Sequence, residues 1–176
     1  MEAAAPTLPA GLTEAALLLH VFRHGIAIDR DDPACPPEAE RFLTERGVKR
    51  THLAARGMRV IGVRPDVIFT SPYRRAVQTA EIAAEALRCP AELIVTDELL
   101  PGADPRGLLA LLAGRSESSV LAAGHAPHVD ALVAAALDVP AFTMLRKAGA
   151  ACVELGGSPR LLWLLEPRQL RTLARA

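Results

Sequence analysis

A three-layer α/β/α sandwich with a mostly parallel central sheet is the fold the sequence predicts, on three observations. Short aliphatic runs alternate with segments of helical length along nearly the whole chain, the pattern of strands joined by helical crossovers. The runs show little polar alternation, as strands buried on both faces do. Only the last two runs follow one another without a helix between them, so an antiparallel strand is expected at that end alone.

The first strand covers residues 17–22, Leu17-Leu18-Leu19-His20-Val21-Phe22, and stops at Arg23-His24-Gly25. Residues 26–40, rich in Asp and Pro, are expected to form a loop. Thr44 is placed to cap a helix running to about residue 62, with Val48, Leu53, Ala54 and Met58 as its apolar positions. Val67-Ile68-Phe69 is the second strand, and Pro72 suits the first turn of a helix that continues over residues 76–87. Leu93-Ile94-Val95 is the third strand, and Asp104 is expected to cap a Leu-rich helix ending near residue 113. Residues 119–123 form the fourth strand, and 126–137 a helix with Pro127 in its first turn. Strands at 151–155 and 161–165, joined by Gly156-Gly157-Ser158-Pro159, complete the sheet.

Composition narrows the functions available. A chain of 176 residues fits one domain, expected over residues 16–176 behind a loose Ala/Pro-rich extension at 1–15. Half of it is hydrophobic but only 3% aromatic, which argues against single-strand nucleic-acid platforms that need stacking rings. Twenty basic and twenty acidic residues cancel, leaving no global field for nucleic acid or membrane; any anion site must be a local cluster of Arg. Cys35, Cys89 and Cys152 are odd in number and far apart, a poor framework for disulfides or zinc. The N-terminus has no basic region, and the apolar stretch ending at Arg23 is too short to span a bilayer. A cytoplasmic setting is expected.

Chemistry gathers at the strand ends. Arg23-His24-Gly25 follows the first strand, Thr70-Ser71-Pro72-Tyr73-Arg74-Arg75-Ala76 the second and Gly124-His125-Ala126-Pro127-His128 the fourth. Parallel strands end on one edge, where open α/β sheets bind ligands. Two arginines and two histidines can therefore meet there without being neighbours in sequence. Arg offers a planar fork suited to phosphate, His a nucleophile or proton shuttle, and Gly a close backbone approach. Free amides at helix starts add donors for an anion. Arg75 alone could be a surface arginine and His125 a satisfied strand-end histidine; three strand ends with such chemistry favour a phosphoryl site.

These pieces resemble the histidine phosphatase superfamily, with its phosphoglycerate mutase-like fold. Phe22-Arg23-His24-Gly25, the stretch from Thr70 to Ala80 and Gly124-His125 carry the resemblance. Leu43-Thr44-Glu45-Arg46-Gly47, Leu100-Pro101-Gly102-Ala103-Asp104 and the ending through Trp163-Leu164-Leu165-Glu166-Pro167 make the chain most similar to the small SixA-type phosphohistidine phosphatases. The resemblance implies that His24 attacks phosphorus and becomes a phosphohistidine. It implies that Arg23 and Arg75 hold the phosphoryl oxygens and that His125 donates to them, two guanidiniums and an imidazolium supplying the positive charge. No metal or other cofactor is then required. Arg41 matches a pocket arginine of SixA-type enzymes, and Gly25 belongs to the same substrate-binding set. His128, one turn beyond His125, is a candidate for the entrance. Arg74, His20 and His52 are expected to be surface or structural.

One departure bears on the substrate. Mutases and many phosphatases of the superfamily place a Glu after the third strand as acid for an alcohol leaving group. Here Pro101 falls roughly at that place, and Glu98 could substitute only if the loop differs. Imidazole leaves with less proton help than an alkoxide, so the sequence favours phosphohistidine in a protein over a phosphate monoester. A small-molecule phosphatase for a sugar, nucleotide or polyphosphate, and a non-catalytic phosphate-binding domain, are the alternatives.

Overall fold

The computed structural model describes residues 16–176; the extension expected at 1–15 lies outside them. Six strands form one sheet: β1 (Leu17–Arg23), β2 (Val67–Thr70), β3 (Glu92–Val95), β4 (Ser119–Gly124), β5 (Ala150–Leu155) and β6 (Arg160–Leu165). Their order across the sheet is β3-β2-β4-β1-β5-β6. The pairs β1–β4, β2–β4 and β2–β3 are parallel, while β5 is antiparallel to both β1 and β6. A single reversed strand in a mixed sheet agrees with the expectation, because only β5 and β6 are joined by a tight turn.

Side chains alternate across this sheet and so divide the core in two. Leu19 and Val21 of β1, Val67 and Phe69 of β2, and Val120 and Ala122 of β4 pack with α3 (Gly107–Ala113) and α4 (His128–Leu137). Phe22, Ile68, Leu121 and Ala123 point the other way, onto α1 (Glu45–Val60), α2 (Arg74–Leu87) and Leu170 of α5 (Pro167–Leu173). The strands lack polar alternation because both faces are covered. Helices α1 and α5 approach closely at Gly57, where a Cβ would lie 1.9 Å from the Leu170 carbonyl oxygen.

Some local expectations need correction. Thr44 does cap α1, its hydroxyl accepting from the Gly47 amide at 3.0 Å, and Ala54 and Met58 are buried, but Val48 is exposed. Pro72 precedes α2 instead of entering it, since Tyr73 is the N-cap. Asp104 stops short of α3: its carboxylate accepts from the Arg106 amide at 2.9 Å in a local turn, and the helix begins at Gly107. Likewise α4 starts at His128, with Pro127 as its cap. Helix α5 was not expected. Its signal was present as Pro167 in the first turn and Gln169, whose side chain accepts from the Glu166 amide at 2.8 Å.

Candidate active site

The register of β1 on β4 pairs Arg23 with Gly124, so the residues that follow the two strands emerge side by side. The His24 amide donates to the Gly124 carbonyl at 2.9 Å, and the His24 and His125 rings lie 5.0 Å apart between centroids. Strand β2 ends beside them: the Ser71 amide donates to Ala123 at 3.2 Å, and Ser71 Oγ lies 3.0 Å from His125 Nε2. Arg75, in the first turn of α2, directs Nε at His24 Nε2 over 3.3 Å. Arg23, His24, Arg75 and His125 thus meet at one edge of the sheet, lining an open cavity of about 450 Å³.

His24 is held in one tautomer. Its Nδ1 lies 2.7 Å from the Gly25 carbonyl oxygen, which can only accept, so Nδ1 carries the proton and Nε2 a lone pair. The Arg75 N–H directed at Nε2 fits that assignment. Gly25 therefore acts on the ring and does not line the cavity. A Cβ there would lie 2.1 Å from Thr51 Oγ1, and its amide donates to Thr79 Oγ1 at 3.1 Å. Thr79 in turn donates to the Arg75 carbonyl at 2.7 Å, tying the turn after β1 to α2.

Burial keeps both rings neutral. It pushes His24 down to about 3, with Arg75, Arg23 and Lys147 adding to the effect and the Gly25 carbonyl opposing it. His125 falls to about 2, through burial first and then the neighbouring His24 and Arg75. The expected imidazolium is corrected on this point: two buried rings between arginines favour neutrality, and His125 can donate only from a neutral N–H. Arg23 anchors through Nη1 to the Leu145 carbonyl at 2.5 Å, and the Leu145 amide donates to Asp130 at 2.8 Å. Arg23 Nε and His125 Nδ1 are buried without a partner among the described residues, the kind of unmet polar group that binding sites retain.

The loop between β1 and α1 supplies what the sequence did not reveal. Glu38 enters the cavity and meets three arginines: Arg75 Nη2 at 2.8 Å, Arg41 Nη1 at 3.1 Å and Arg30 Nε at 3.0 Å. Its main-chain carbonyl accepts from Arg75 Nη1 at 2.7 Å, so Glu38 occupies both ends of the Arg75 fork. The Arg30 hydrogen bond foremost, then Arg41 and Arg75, hold the carboxyl down at about 2. Arg41 lines the cavity as expected of a pocket arginine, but is also tied to the Ile28 carbonyl at 2.6 Å. Asp29, Tyr73, Pro101 and Lys147 complete much of the wall.

Two further candidates lie elsewhere. Glu98 is turned toward the start of α3, where its Oε2 would be 1.7 Å from a Cβ on Gly107, and it does not line the cavity. His128 donates from Nε2 to the Glu98 carbonyl at 2.9 Å and is spent on that loop. His20 is buried against Trp163, centroids 5.8 Å apart. Among the described residues no three His, Cys, Asp or Glu gather as a metal site, and no helix is long and apolar enough to cross a membrane.

Known proteins are similar to this chain in sequence and fold. The sequence model of the histidine phosphatase superfamily (branch 1) matches residues 19–100, which include Arg23, His24 and Arg75. An uncharacterised protein of Picosynechococcus sp. is 40% identical over 116 residues, 62% of this chain and 66% of that one, just under two thirds of its length. The phosphohistidine phosphatase SixA of Escherichia coli K12 is 29% identical over 157 residues, 86% of this chain and 94% of that one. A solved structure of the protein histidine phosphatase SixA complexed with tungstate superposes with a TM-score of 0.78 at 29% identity, over 88% of this chain and 99% of that one.

Proposed function

We propose, from its similarity to the histidine phosphatase superfamily and to SixA in the phosphoglycerate mutase-like fold, that the chain is a phosphatase working without a metal through a phosphohistidine on His24, with phosphohistidine of a partner protein as substrate. The observation that carries the reading is the His24 ring, its Nδ1 proton fixed on Gly25 and its Nε2 lone pair facing the cavity beside Arg75. Nε2 attacks phosphorus as the bond to the leaving group breaks, forming the N–P bond of the intermediate. Water then attacks that phosphorus, and inorganic phosphate and free His24 result.

Arg23 and Arg75 hold the phosphoryl oxygens and stabilise the charge that develops on them during both transfers. Lys147 and Arg41 add to the positive wall. Pro101 lines the cavity, and by the resemblance it falls roughly where related enzymes carry an acid; Glu38, held at about 2, is already ionised and cannot donate a proton near neutrality. A leaving group that needs little protonation, imidazole, suits such a wall. One observation favours a second reading, a small-molecule phosphatase: Asp29 also lines the cavity and offers a carboxyl near a bound ester.

The test is a substrate panel of phosphohistidine protein, a simple phosphoramidate and sugar phosphates, run on the protein and on His24→Ala. The expected result is phosphoramidate turnover far above alkyl phosphate turnover, both lost in the variant. A wide preference for the alkyl ester would move the reading to a metabolite substrate. Activity that survives His24→Ala would remove the mechanism.

A further inference from the structure

Charges in this chain cancel in number but not in place. Beside the catalytic cavity lies a second hollow of about 340 Å³, lined by Arg50 of α1, Arg168 and Arg171 of α5, and Arg146 and Lys147 of the loop before β5. Lys147 lines both hollows, so the two adjoin at that side chain. Arg46 and Arg175 extend the same face, and the Arg171 guanidinium is pushed below its ordinary value, by burial first and then by Arg50, Arg175, Arg168 and Arg46. Glu166 is the one carboxylate lining this hollow, and it is taken by Arg146 at 3.4 Å. Among the described residues no ion pair engages Arg46, Arg50, Arg168, Arg171 or Arg175.

Crowded like charges work against the fold, since each repels its neighbours and of this patch only Arg146 has an ion-pair partner among the described residues. We propose that this face, formed by α1, α5 and the Arg146-Lys147 loop, is a docking surface for the acidic face of a phosphorylated protein whose phosphohistidine enters the cavity past Lys147. The inference rests on the reading of His24 as a nucleophile for protein phosphohistidine, and it adds a selection rule to it. The patch recognises carboxylates around the phosphorylated residue, while Arg23 and Arg75 recognise the phosphoryl group. Charge complementarity of this kind acts mainly on encounter and partner choice, and it weakens with salt.

The experiment uses two phosphohistidine peptides of equal length, one flanked by Asp and Glu, the other by Ser and Gly. They are offered to the protein and to the triple variant Arg50→Gln/Arg168→Gln/Arg171→Gln. Lys147 stays, because it belongs to the cavity, and thermal unfolding checks that the variant is folded. The expected result is a preference of about tenfold or more in kcat/KM for the acidic peptide at low salt, abolished in the variant and at high salt. The rate on the neutral peptide should be the same in both proteins.

No preference in the parent protein, or a preference that persists in the variant, overturns the proposal. So does an equal fall on both peptides with the melting temperature unchanged, because the arginines would then be acting on the cavity. Tighter binding of an RNA oligonucleotide or of anionic phospholipid vesicles than of the acidic peptide would assign the face to those surfaces instead. If neither peptide is turned over, the nucleophile reading is what fails. Fluorescence anisotropy of the unphosphorylated acidic peptide, on parent and variant, then still decides the surface.

Discussion

Glu38→Gln should tighten the binding of inorganic phosphate. In the structure the Glu38 carboxylate and carbonyl hold both Nη atoms of Arg75 at 2.8 and 2.7 Å, the same donors proposed to grip a phosphoryl group. An entering anion must displace the carboxylate first. The Arg75 side chain is 4% exposed and that of Glu38 39%, so the pair lies between a buried charge-assisted bond and a screened surface one. That places the competition at about 1–2 kcal/mol, and its removal at roughly a five- to thirtyfold lower Kd. Glutamine keeps the length and the main-chain contact and removes only the charge. Calorimetric titration with phosphate at low ionic strength measures the effect. The gain should persist from pH 5 to 8, because a carboxyl held at about 2 is ionised throughout. Weaker phosphate binding in Glu38→Gln would refute the reasoning and make Glu38 a residue that positions the Arg75 fork.

Other outcomes follow from the same geometry. His24→Ala should abolish phosphoenzyme formation, and Arg75→Lys should cost about 10²-fold or more in kcat/KM, since an ammonium cannot reproduce the fork; near-parent kcat/KM in Arg75→Lys would contradict its role. Glu98→Gln should leave phosphoramidate turnover unchanged because its side chain lies at α3, and a large fall would reinstate it as the acid. Gly25→Ala should destabilise the protein by about 1–3 kcal/mol in urea unfolding, with Thr51→Ala recovering part of it because Thr51 Oγ1 is the atom in the way. Acid should unfold the chain early: His20, His24 and His125, at about 4, 3 and 2 when folded, take up protons on unfolding below pH 6.5. Each removes up to ~1.4 kcal/mol per pH unit, so the three cost roughly 6 kcal/mol by pH 5. Equal urea midpoints at pH 7 and pH 5 would refute it, and His20→Phe should lessen the slope.

The meeting of Arg23, His24, Arg75 and His125 was legible because two kinds of local pattern coincided: aliphatic runs that must be strands, and polar triplets at their ends. A parallel sheet converts that coincidence into proximity, as the pairing of Arg23 with Gly124 does here. What depends on the path of an irregular loop was not legible. Glu38 follows three prolines in a segment without periodicity, and nothing local says that its carboxylate meets Arg75. Lys147 reaches two hollows only because β5 reverses direction beside β1. The start of α3 was misplaced because Asp104 satisfies a turn amide, which competes with capping wherever Asp precedes a helix. The charge of His125 failed for another reason: burial of both rings is a property of the assembled edge and of no segment.

That burial links stability to chemistry. A nucleophilic imidazole has to be unprotonated, and desolvation between two arginines secures this well below neutral pH without any carboxylate to tune it. The same desolvation makes the folded state refuse protons that the unfolded chain accepts, so the feature that keeps Nε2 unprotonated also makes the fold sensitive to acid. His20 separates the two effects. It lies in β1, on the strand that delivers His24, yet its ring stacks on Trp163 away from the cavity. Its replacement by Phe should reduce acid lability while leaving phosphoryl transfer intact. If His20→Phe lowered kcat as well, the strand and the nucleophile would be coupled through the packing of β1, and the neutrality of His24 could no longer be ascribed to its own surroundings.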